Sequence, residues 1–416
     1  MENIIMPLYK STVCPCLEYW VQFWSPYLQK DAVKSEKGAK KGNQNGQRHG
    51  ADAGNVLVKA GLCYEHDVLR FLVNGIPPQK TNELLINNVM FNNLTLFIKN
   101  LQFEKVPVRV YEPRAPSAGL RKGIIFFHGG GGVFGSVDTH DHVCQYLARE
   151  SEAVVASVEY RLAPEHKNPA QYEDCLTAAI HFMRNPEDYG VDPTCIIIAG
   201  DSAGAYLAAT TTQTLTSRPD LPKLRAQVLM YPFVQGLDFN LPSYQQYCRV
   251  PILSREQVVL FALQCLNGDI SILKPTLEGA HIPPEIRLKY RKWLSPDNIP
   301  KEFKVRGYKP HFPTEYRKDI YEQIRQVFDP VASPLLAEDA IVCQLPETFI
   351  MTCEYDVLRD DGLLYKKRLE DSGVPVTWYH SENAFHGIIN LFDNGMLTFP
   401  AGKKALDNIV NFLRGL

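Results

Sequence analysis

The sequence predicts an α/β protein with a mostly parallel, doubly wound sheet and an inserted helical cap. Apolar strand-like runs alternate with helix-like segments between residues 121 and 231, which is typical of a parallel sheet covered on both faces. The alternation stops over residues 233–328, where prolines and short helical pieces replace strands, and resumes at Thr348. At 416 residues, the chain has room for one large α/β domain or two ordinary ones.

The composition excludes several classes of function. The formal net charge is -2, from 44 basic and 46 acidic residues, so we expect no general attraction to nucleic acid. The ten cysteines form neither a C-x-x-C pair nor a Cys/His cluster, so we predict no metal site. A transmembrane helix needs about 18 consecutive apolar residues, and the sequence contains no such run. We also find no pattern typical of a signal peptide.

The N-terminal part is predicted to differ from the rest. Residues 31–55 are rich in Lys, Gly, Asn and Gln, and we expect residues 1–57 to be disordered or loosely attached. Residues 58–416 form the predicted folded domain, with the cap contributed by 58–90 and 233–328. A helix is expected over 60–75. Asn93 begins an N-glycosylation sequon, which matters only if the chain enters the secretory route.

The expected elements of the sheet follow in order. Strands are predicted at 123–127, 153–160, 196–198, 226–231, 348–352 and 375–380, preceded by alternating strand patterns over 87–112. Helices are predicted at 169–183, 203–209, 358–371 and 403–413.

A sharp turn around Ser202 is the organising feature of the sequence. Gly200-Asp201-Ser202-Ala203-Gly204 follows a β-branched run and precedes a run of small residues. A strand, a G-x-S-x-G turn and a helix together form a nucleophile elbow. Gly200 and Gly204 lack a Cβ and so relieve the crowding of so tight a turn. A chance match to a five-residue pattern is the alternative.

A glycine-rich loop is predicted after the strand that ends at residue 127. His128 is followed by Gly129, Gly130, Gly131 and Gly132, and each glycine costs about 1 kcal/mol in regular structure. Close approach of backbone N–H groups to a ligand explains such a loop, and H-G-G-G is the oxyanion loop of lipases and esterases. A flexible turn is the alternative, but it explains neither the histidine nor the serine elbow downstream.

The base and acid that would activate Ser202 are predicted at Asp356 and His386. A serine hydroxyl needs a histidine base, which in turn needs a carboxylate to orient it. The chain order in this arrangement is serine, then acid, then histidine. Asp356 and His386 each follow a late strand, whose carboxyl end should meet the same sheet edge as Ser202.

Other residues near these positions compete for the same roles. Glu354 lies close to the strand end, whereas Asp360 and Asp361 fall where a helix should begin, so N-terminal capping is their expected role. His380 lies inside a strand and is expected to be a packed residue. The remaining alternatives, His128 and Asp201, are expected to anchor the glycine loop and to make a structural hydrogen bond, respectively.

These motifs together resemble the hormone-sensitive-lipase group of α/β-hydrolases, and within it the arylacetamide deacetylase-like proteins. The resemblance covers roughly residues 58–416. It is carried by five motifs in order: His128-Gly-Gly-Gly, Tyr160-Arg-Leu-Ala-Pro-Glu-His166, Gly200-Asp-Ser-Ala-Gly204, Asp356-Val-Leu-Arg-Asp-Asp-Gly362 and Phe385-His386-Gly387.

The resemblance implies the α/β-hydrolase fold and a serine carboxylesterase or deacetylase that acts on small lipophilic esters or amides without a cofactor. Its triad falls on Ser202, Asp356 and His386, and its oxyanion donors on the N–H groups of Gly130, Gly131 and Ala203, with His128, Gly129, Gly200 and Gly204 in support. It also implies the lumenal side of the endoplasmic reticulum membrane, although no signal anchor is seen, which makes the cytoplasm the alternative.

Two questions stay open at this stage. Gly132 stands where many relatives carry a bulky aromatic residue, which suggests a roomier wall near the acyl pocket. The function itself has two alternatives: a neutral-lipid lipase, or a non-catalytic small-molecule-binding protein on the same fold. The natural substrate, membrane association and oligomeric state are not given by the sequence.

Overall fold

The structure is a computed structural model, and it describes residues 95–250, 252–266, 268–311, 315–393 and 398–416. Several expectations fall outside these residues: the N-terminal segment 1–57, the helix at 60–75, the cap portion 58–90 and the sequon at Asn93.

The described residues form a sheet of eight strands in the order β1-β2-β4-β3-β5-β6-β7-β8. Strand β2 runs antiparallel to β1 and β4, and every other pair is parallel. The strands are β1 Leu96–Phe103, β2 Val106–Pro113, β3 Arg121–Phe127, β4 Val154–Val158, β5 Val191–Asp201, β6 Ala226–Met230, β7 Glu347–Tyr355 and β8 Val376–Phe385. The mostly parallel sheet predicted from the alternating pattern is confirmed.

Helices cover both faces of the sheet. In the described part of the chain they are α1 Asp141–Ser151, α2 Ala170–Arg184, α3 Ala203–Thr216, α4 Pro242–Gln246, α5 Arg255–Leu266, α6 Leu273–Leu277, α7 Pro284–Leu294, α8 Lys318–Ile324, α9 Asp339–Val342, α10 Arg359–Asp371 and α11 Pro400–Gly415. Helices α1 and α11 share one apolar cluster with the sheet, and α2, α3 and α10 share another. The sheet is therefore doubly wound.

Strand β3 shows how a continuous apolar run serves both faces. Ile125 and Phe127 belong to the cluster that includes α2 and α3, whereas Ile124 and Phe126 belong to the cluster that includes α1 and α11. Alternate residues of a strand point to opposite faces, so the residues at 124–127, which are buried on both sides of the sheet, are all apolar. All four side chains are fully buried.

The predicted cap segment 233–328 lies between β6 and β7. Its described residues form helices α4 to α8 and short 3₁₀ turns, and they contain no strand. A long helical stretch therefore interrupts the α/β alternation, as the proline-rich sequence suggests.

Strand β8 is longer than the sequence predicts. Its pairing with β7 is regular up to Cys353 and Ser381, then shifts so that Tyr355 pairs with Phe385. The strand predicted to end at residue 380 therefore continues to Phe385, because an irregularity lets polar residues remain in the ladder. Because of this shift, Asp356 and His386 each follow directly after the last paired residues, Tyr355 and Phe385, and so lie beside each other at the end of the two strands.

Candidate active site

Ser202 lies at a strained bend between β5 and α3. Its φ of 55° and ψ of -119° lie outside the regions that a residue with a Cβ ordinarily occupies. Its N–H donates to the carbonyl oxygen of Met230 on β6, at 2.9 Å, which ties the bend to the sheet. Strain of this kind persists only where surrounding contacts fix the backbone, and it concentrates at functional sites.

The two glycines of the elbow have no room for a side chain. A Cβ at Gly200 would collide with the carbonyl oxygen of Gly204, and a Cβ at Gly204 would collide with the carbonyl oxygen of Phe127. The first contact is within the turn, and the second is between helix α3 and the end of β3. Glycine is required at both positions because the backbones themselves are in contact.

A chain of hydrogen bonds joins Ser202 to His386 and Asp356. Oγ of Ser202 lies 2.7 Å from Nε2 of His386, and Nδ1 of His386 lies 2.9 Å from Oδ2 of Asp356. A carboxylate can only accept, so Nδ1 carries the proton and Nε2 is left to accept from the hydroxyl. Asp356 is fully buried, and its other oxygen accepts from the N–H of Leu358 at 2.8 Å.

Tyr231 supports this arrangement. It follows β6 with a φ of 37°, and its ring centroid lies 4.8 Å from that of His386. Its hydroxyl donates to Oδ2 of Asp201 at 3.2 Å. Tyr231 therefore connects the imidazole to the base of the glycine loop. The only local indication of this role is the position of Tyr231 at a strand end.

Asp201 fastens the glycine loop to the elbow. Oδ1 of Asp201 accepts from the N–H of Gly129 at 2.7 Å, and Nε2 of His140 lies 3.1 Å from the same oxygen. Burial alone would raise the pKa of Asp201, but His140 and the Gly129 N–H hold it below its usual value. A Cβ at Gly129 would lie 2.6 Å from Oδ2 of Asp201, so glycine is needed for this approach.

His128 is a packed residue at the start of the loop. Its ring stacks on Tyr160 with centroids 4.2 Å apart, and its Nδ1 donates to the carbonyl oxygen of Gly129 at 2.9 Å. The hydroxyl of Tyr160 donates to the carbonyl oxygen of His128 at 2.6 Å. Burial lowers the pKa of His128 to about 3, so the ring stays neutral. A neutral, buried imidazole thus lies at the start of the loop and is bonded to it.

The turn after His128 leaves backbone N–H groups without protein partners. Gly130, Gly131 and Gly132 all have positive φ, and the carbonyl oxygen of Gly130 accepts from the N–H groups of Val133 and Phe134. Among the described residues, we find no acceptor for the N–H groups of Gly130, Gly131 and Ala203. Ala203 is the first residue of α3, where a helix leaves its N–H groups free.

Helix α5 of the cap packs on this turn. A Cβ at Gly131 would lie 2.5 Å from Cδ2 of Phe261, and a Cβ at Gly132 would lie 2.9 Å from Sγ of Cys265. The thiol of Cys265 also lies 3.4 Å from the carbonyl oxygen of Gly131. The space beside Gly132 is therefore occupied by a cap side chain, which does not support the roomier wall suggested by the sequence.

A sequence model of the alpha/beta hydrolase fold matches residues 124–281 and 310–390. The chain belongs to the α/β-hydrolase family. Within it, the chain is 45% identical to arylacetamide deacetylase-like 4 from Homo sapiens over 363 residues, covering 87% of this chain and 86% of that protein. It is 47% identical to arylacetamide deacetylase-like 3 from Homo sapiens over 365 residues, with the same coverage. These matches place it in the arylacetamide deacetylase-like group.

Solved structures agree with this assignment. An esterase from Pyrobaculum calidifontis is 29% identical and has a TM-score of 0.59, with 81% of this chain and 90% of that chain covered. A thermostable carboxylesterase cloned from a metagenomic library is also 29% identical, with a TM-score of 0.60 and coverage of 83% and 96%. The prediction of the α/β-hydrolase fold is confirmed.

The alternative base and acid of this α/β-hydrolase belong to a different network. Nδ1 of His380 lies 2.9 Å from Oγ1 of Thr352, and Nε2 lies 3.2 Å from Oε2 of Glu354. Glu354 also accepts from the hydroxyl of Tyr247 at 2.7 Å and from Arg306 at 3.1 Å. These bonds tie the cap to strands β7 and β8. Neither His380 nor Glu354 is bonded to Ser202.

Asp360 and Asp361 do not cap their own helix. Asp360 accepts from the N–H of Ser243 at 2.7 Å, and Asp361 accepts from the N–H of Val234 at 3.0 Å. Burial raises the pKa of Asp361 to about 7. The capping role expected from their position is wrong: both carboxylates instead hold the backbone at the start of the cap segment, a long-range contact without a local sequence signal.

Over the described stretches, no helix has the length and apolar character required to cross a bilayer. In the same stretches, no group of His, Cys, Asp and Glu side chains is arranged to hold a metal ion.

Proposed function

We propose that this protein is a serine hydrolase that cleaves carboxylic esters or amides through an acyl-serine intermediate. The observation that carries the proposal is the hydrogen-bonded chain Ser202–His386–Asp356, with distances of 2.7 and 2.9 Å, at a strained elbow. The geometry matches the roles of nucleophile, base and orienting acid, which are recognised by arrangement rather than by position in the chain.

The first half of the reaction forms the acyl-serine. Oγ of Ser202 attacks the carbonyl carbon of the substrate while Nε2 of His386 takes the hydroxyl proton. The carbonyl oxygen becomes an oxyanion, which accepts from the N–H groups of Gly130, Gly131 and Ala203. The intermediate then collapses, and His386 gives its proton to the departing alcohol or amine.

The second half releases the acid. A water molecule gives a proton to His386 and attacks the acyl carbon, and the same N–H groups bind the second oxyanion. Collapse breaks the bond to Oγ, which recovers its proton from His386. Asp356 holds the imidazole in the tautomer with Nδ1 protonated and stabilises the imidazolium that forms twice in the cycle.

The relatives and the residues beside the turn support a class of substrate. The relatives and structural neighbours are named arylacetamide deacetylases and esterases, which supports small ester or amide substrates. Phe261 lies against Gly131 and makes an edge-on contact with Phe134, with centroids 5.8 Å apart. These rings provide an apolar wall beside the oxyanion amides. A lipophilic acyl group therefore fits the site better than a charged one.

Labelling and hydrolysis together test the proposal. The purified full chain should react with a fluorophosphonate probe at Ser202 and hydrolyse short p-nitrophenyl esters. Ser202→Ala should abolish labelling and reduce hydrolysis by at least about 10³-fold. His386→Asn should have a comparable effect on hydrolysis, whereas the matched variant His380→Asn should retain activity. Unchanged hydrolysis by Ser202→Ala would refute the mechanism, and a wild-type chain that fails to label would support the non-catalytic alternative.

The compartment is tested at Asn93. The arylacetamide deacetylase-like resemblance supports the lumenal side of the endoplasmic reticulum, where the sequon would carry a glycan. Protein made in animal cells should then shift in mass on glycosidase digestion, and the Asn93→Gln variant should not. An unshifted wild-type protein would indicate the cytoplasmic side.

A further inference from the structure

Helix α7, Pro284–Leu294, has no buried residue. Its inner side is only partly covered: Ile286, Tyr290 and Leu294 pack against a small apolar cluster that includes Leu237 and Leu336. A helix that serves only to complete a core normally buries a wide apolar stripe. Helix α7 instead presents much of its surface to the outside of the molecule.

An apolar side chain projects from the outer side of α7. Leu288 is 72% exposed, which is far more than a packed leucine would be. Residues three and four apart share a helix face, so Pro284, Leu288 and Arg291 lie in a row. Lys289 is adjacent. The outer face of α7 is therefore a leucine bordered by Lys289, Arg291, Lys292 and one carboxylate, Glu285, and we call this surface the α7 face.

The cations of the α7 face are not neutralised by carboxylates. Nζ of Lys289 lies 4.8 Å from the ring centroid of Tyr290, and Nζ of Lys292 lies 4.1 Å from that of Trp293. In the part of the chain that the structure describes, neither lysine nor Arg291 has an acidic group within 4.0 Å. Their positive charge is therefore available to a partner.

The charge around α7 contrasts with that of the whole protein. Residues 284–309 contain eight basic and three acidic residues, a net charge of +5, whereas the complete chain carries -2. A shallow groove of about 520 Å³ adjoins the helix, and it is lined by Ile282, Pro284, Arg287, Leu288, Arg291 and Tyr316. Apolar and cationic groups thus alternate over one continuous surface.

We propose that the α7 face docks on an anionic phospholipid surface. A helix lying on a membrane carries Lys and Arg at the headgroup level and apolar side chains that enter the acyl boundary. Long basic side chains reach the headgroups with their charged ends while their stems stay in apolar surroundings. The α7 face has both features, and its charge complements an anionic bilayer. A protein partner would instead need a pocket shaped for Leu288.

Docking would place the cap at the surface of the lipid bilayer, into which lipophilic esters partition. The binding itself does not depend on the proposed reaction, so the two proposals fail separately. A chain that binds vesicles but does not hydrolyse esters would contradict only the reaction, and the reverse result would contradict only the docking.

Vesicle flotation tests the proposal with the full chain. Vesicles of phosphatidylcholine alone are compared with vesicles containing about 30% phosphatidylserine, at low and at physiological salt. We expect binding only to the anionic vesicles, and weaker binding at higher salt. Lys289→Glu with Arg291→Glu should weaken binding by more than about 25-fold, at about fivefold for each positive charge lost. Leu288→Ser leaves the charge unchanged and should weaken binding by about tenfold.

A matched control distinguishes an effect of the α7 face from an effect of the net charge of the protein. Lys105→Glu with Lys404→Glu makes the same change in net charge at exposed positions outside the cap. This control should bind vesicles like the wild type, and all variants should hydrolyse a water-soluble ester at the wild-type rate. Equal weakening in both double variants, binding independent of Leu288, or no binding to anionic vesicles would overturn the proposal. Retention on an immobilised acidic polypeptide without vesicle binding would also overturn it, in favour of a protein partner.

Discussion

The ring of Phe261 lies directly against the backbone of Gly131, so that a Cβ at residue 131 would be 2.5 Å from Cδ2 of the ring. Phe261 belongs to helix α5 in the cap, whereas Gly131 carries one of the N–H groups proposed to bind the oxyanion. The turn itself is held by bonds from Val133 and Phe134 to the carbonyl oxygen of Gly130. Phe261 of the cap therefore packs against the turn and restricts the orientation of the N–H groups of the turn.

The Phe261→Ala variant should lower kcat more than it raises KM. Loss of one oxyanion donor costs about 10²–10³ in turnover, and a displaced donor should cost less, about tenfold. Steady-state kinetics on a short p-nitrophenyl ester measure both constants. Phe303→Ala is the matched control, because this cap phenylalanine contacts His380 instead of the turn. A rise in KM at constant kcat would mean that Phe261 only binds substrate.

A side chain at Gly132 should destabilise the protein in two separable ways. The φ of +71° costs a residue with a Cβ about 1–2 kcal/mol, and the Cβ would also lie 2.9 Å from Sγ of Cys265. Urea unfolding of Gly132→Ala, Cys265→Ala and the double variant measures both contributions. Cys265→Ala should relieve the steric part, so the double variant should lose less free energy of unfolding than the sum. Strict additivity would show that Cys265 does not occupy this space.

The elbow and the proximity of Ser202, His386 and Asp356 could be predicted from the sequence, because they follow from a short motif and from the chain order. The two glycines belong to a five-residue motif around Ser202, and the Gly200 contact lies within that motif. The chain order indicates which later strands supply an acid and a histidine. Parallel strands then bring their carboxyl ends to one edge, and this general property places Asp356 and His386 near Ser202 without further information.

The supporting residues were not predictable, because their partners are distant in sequence. Tyr231 meets His386 and Asp201 only after three strands have paired, and Phe261 reaches Gly131 only when the cap has folded over the turn. The extension of β8 to Phe385 rests on an irregularity in its pairing with β7. Polar residues over 380–383 conceal this strand, since the local signals of a strand are a short apolar run or an alternation of apolar and polar residues.

The Gly204→Ala variant should fold poorly. Its Cβ would collide with the carbonyl oxygen of Phe127, and neither backbone can move without shifting β3 or α3. We expect a loss of at least about 2 kcal/mol in the free energy of unfolding, by analogy with other overpacked sites. Thermal and urea unfolding measure it. Gly119→Ala is the matched control, since nothing lies within 4 Å of a Cβ there. An equal effect at both sites would contradict this contact.

Acid should destabilise the protein through the buried His281. Its Nε2 donates to the carbonyl oxygen of Gly236 at 3.1 Å, and its ring lies between Phe239 and Phe328, with centroids 6.1 Å from each. Burial lowers its pKa to about 4, from the usual 6.5. A lowered pKa means that the folded state binds fewer protons, so the stabilisation is complete above pH 6.5 and is lost as the pH falls from there towards 4. Between pH 7.5 and 5, the loss should be about 2 kcal/mol.

The His281→Gln variant should remove that part of the pH dependence. Gln keeps a donor for the Gly236 carbonyl but takes up no proton, so its free energy of unfolding should fall by about 2 kcal/mol less than the wild type between pH 7.5 and 5. Urea unfolding at both pH values measures the difference. The exposed His142→Gln is the matched control and should lose as much as the wild type. Equal losses in wild type and His281→Gln would mean that His281 takes up its proton in the folded protein without penalty, which its enclosure between two phenylalanine rings should prevent.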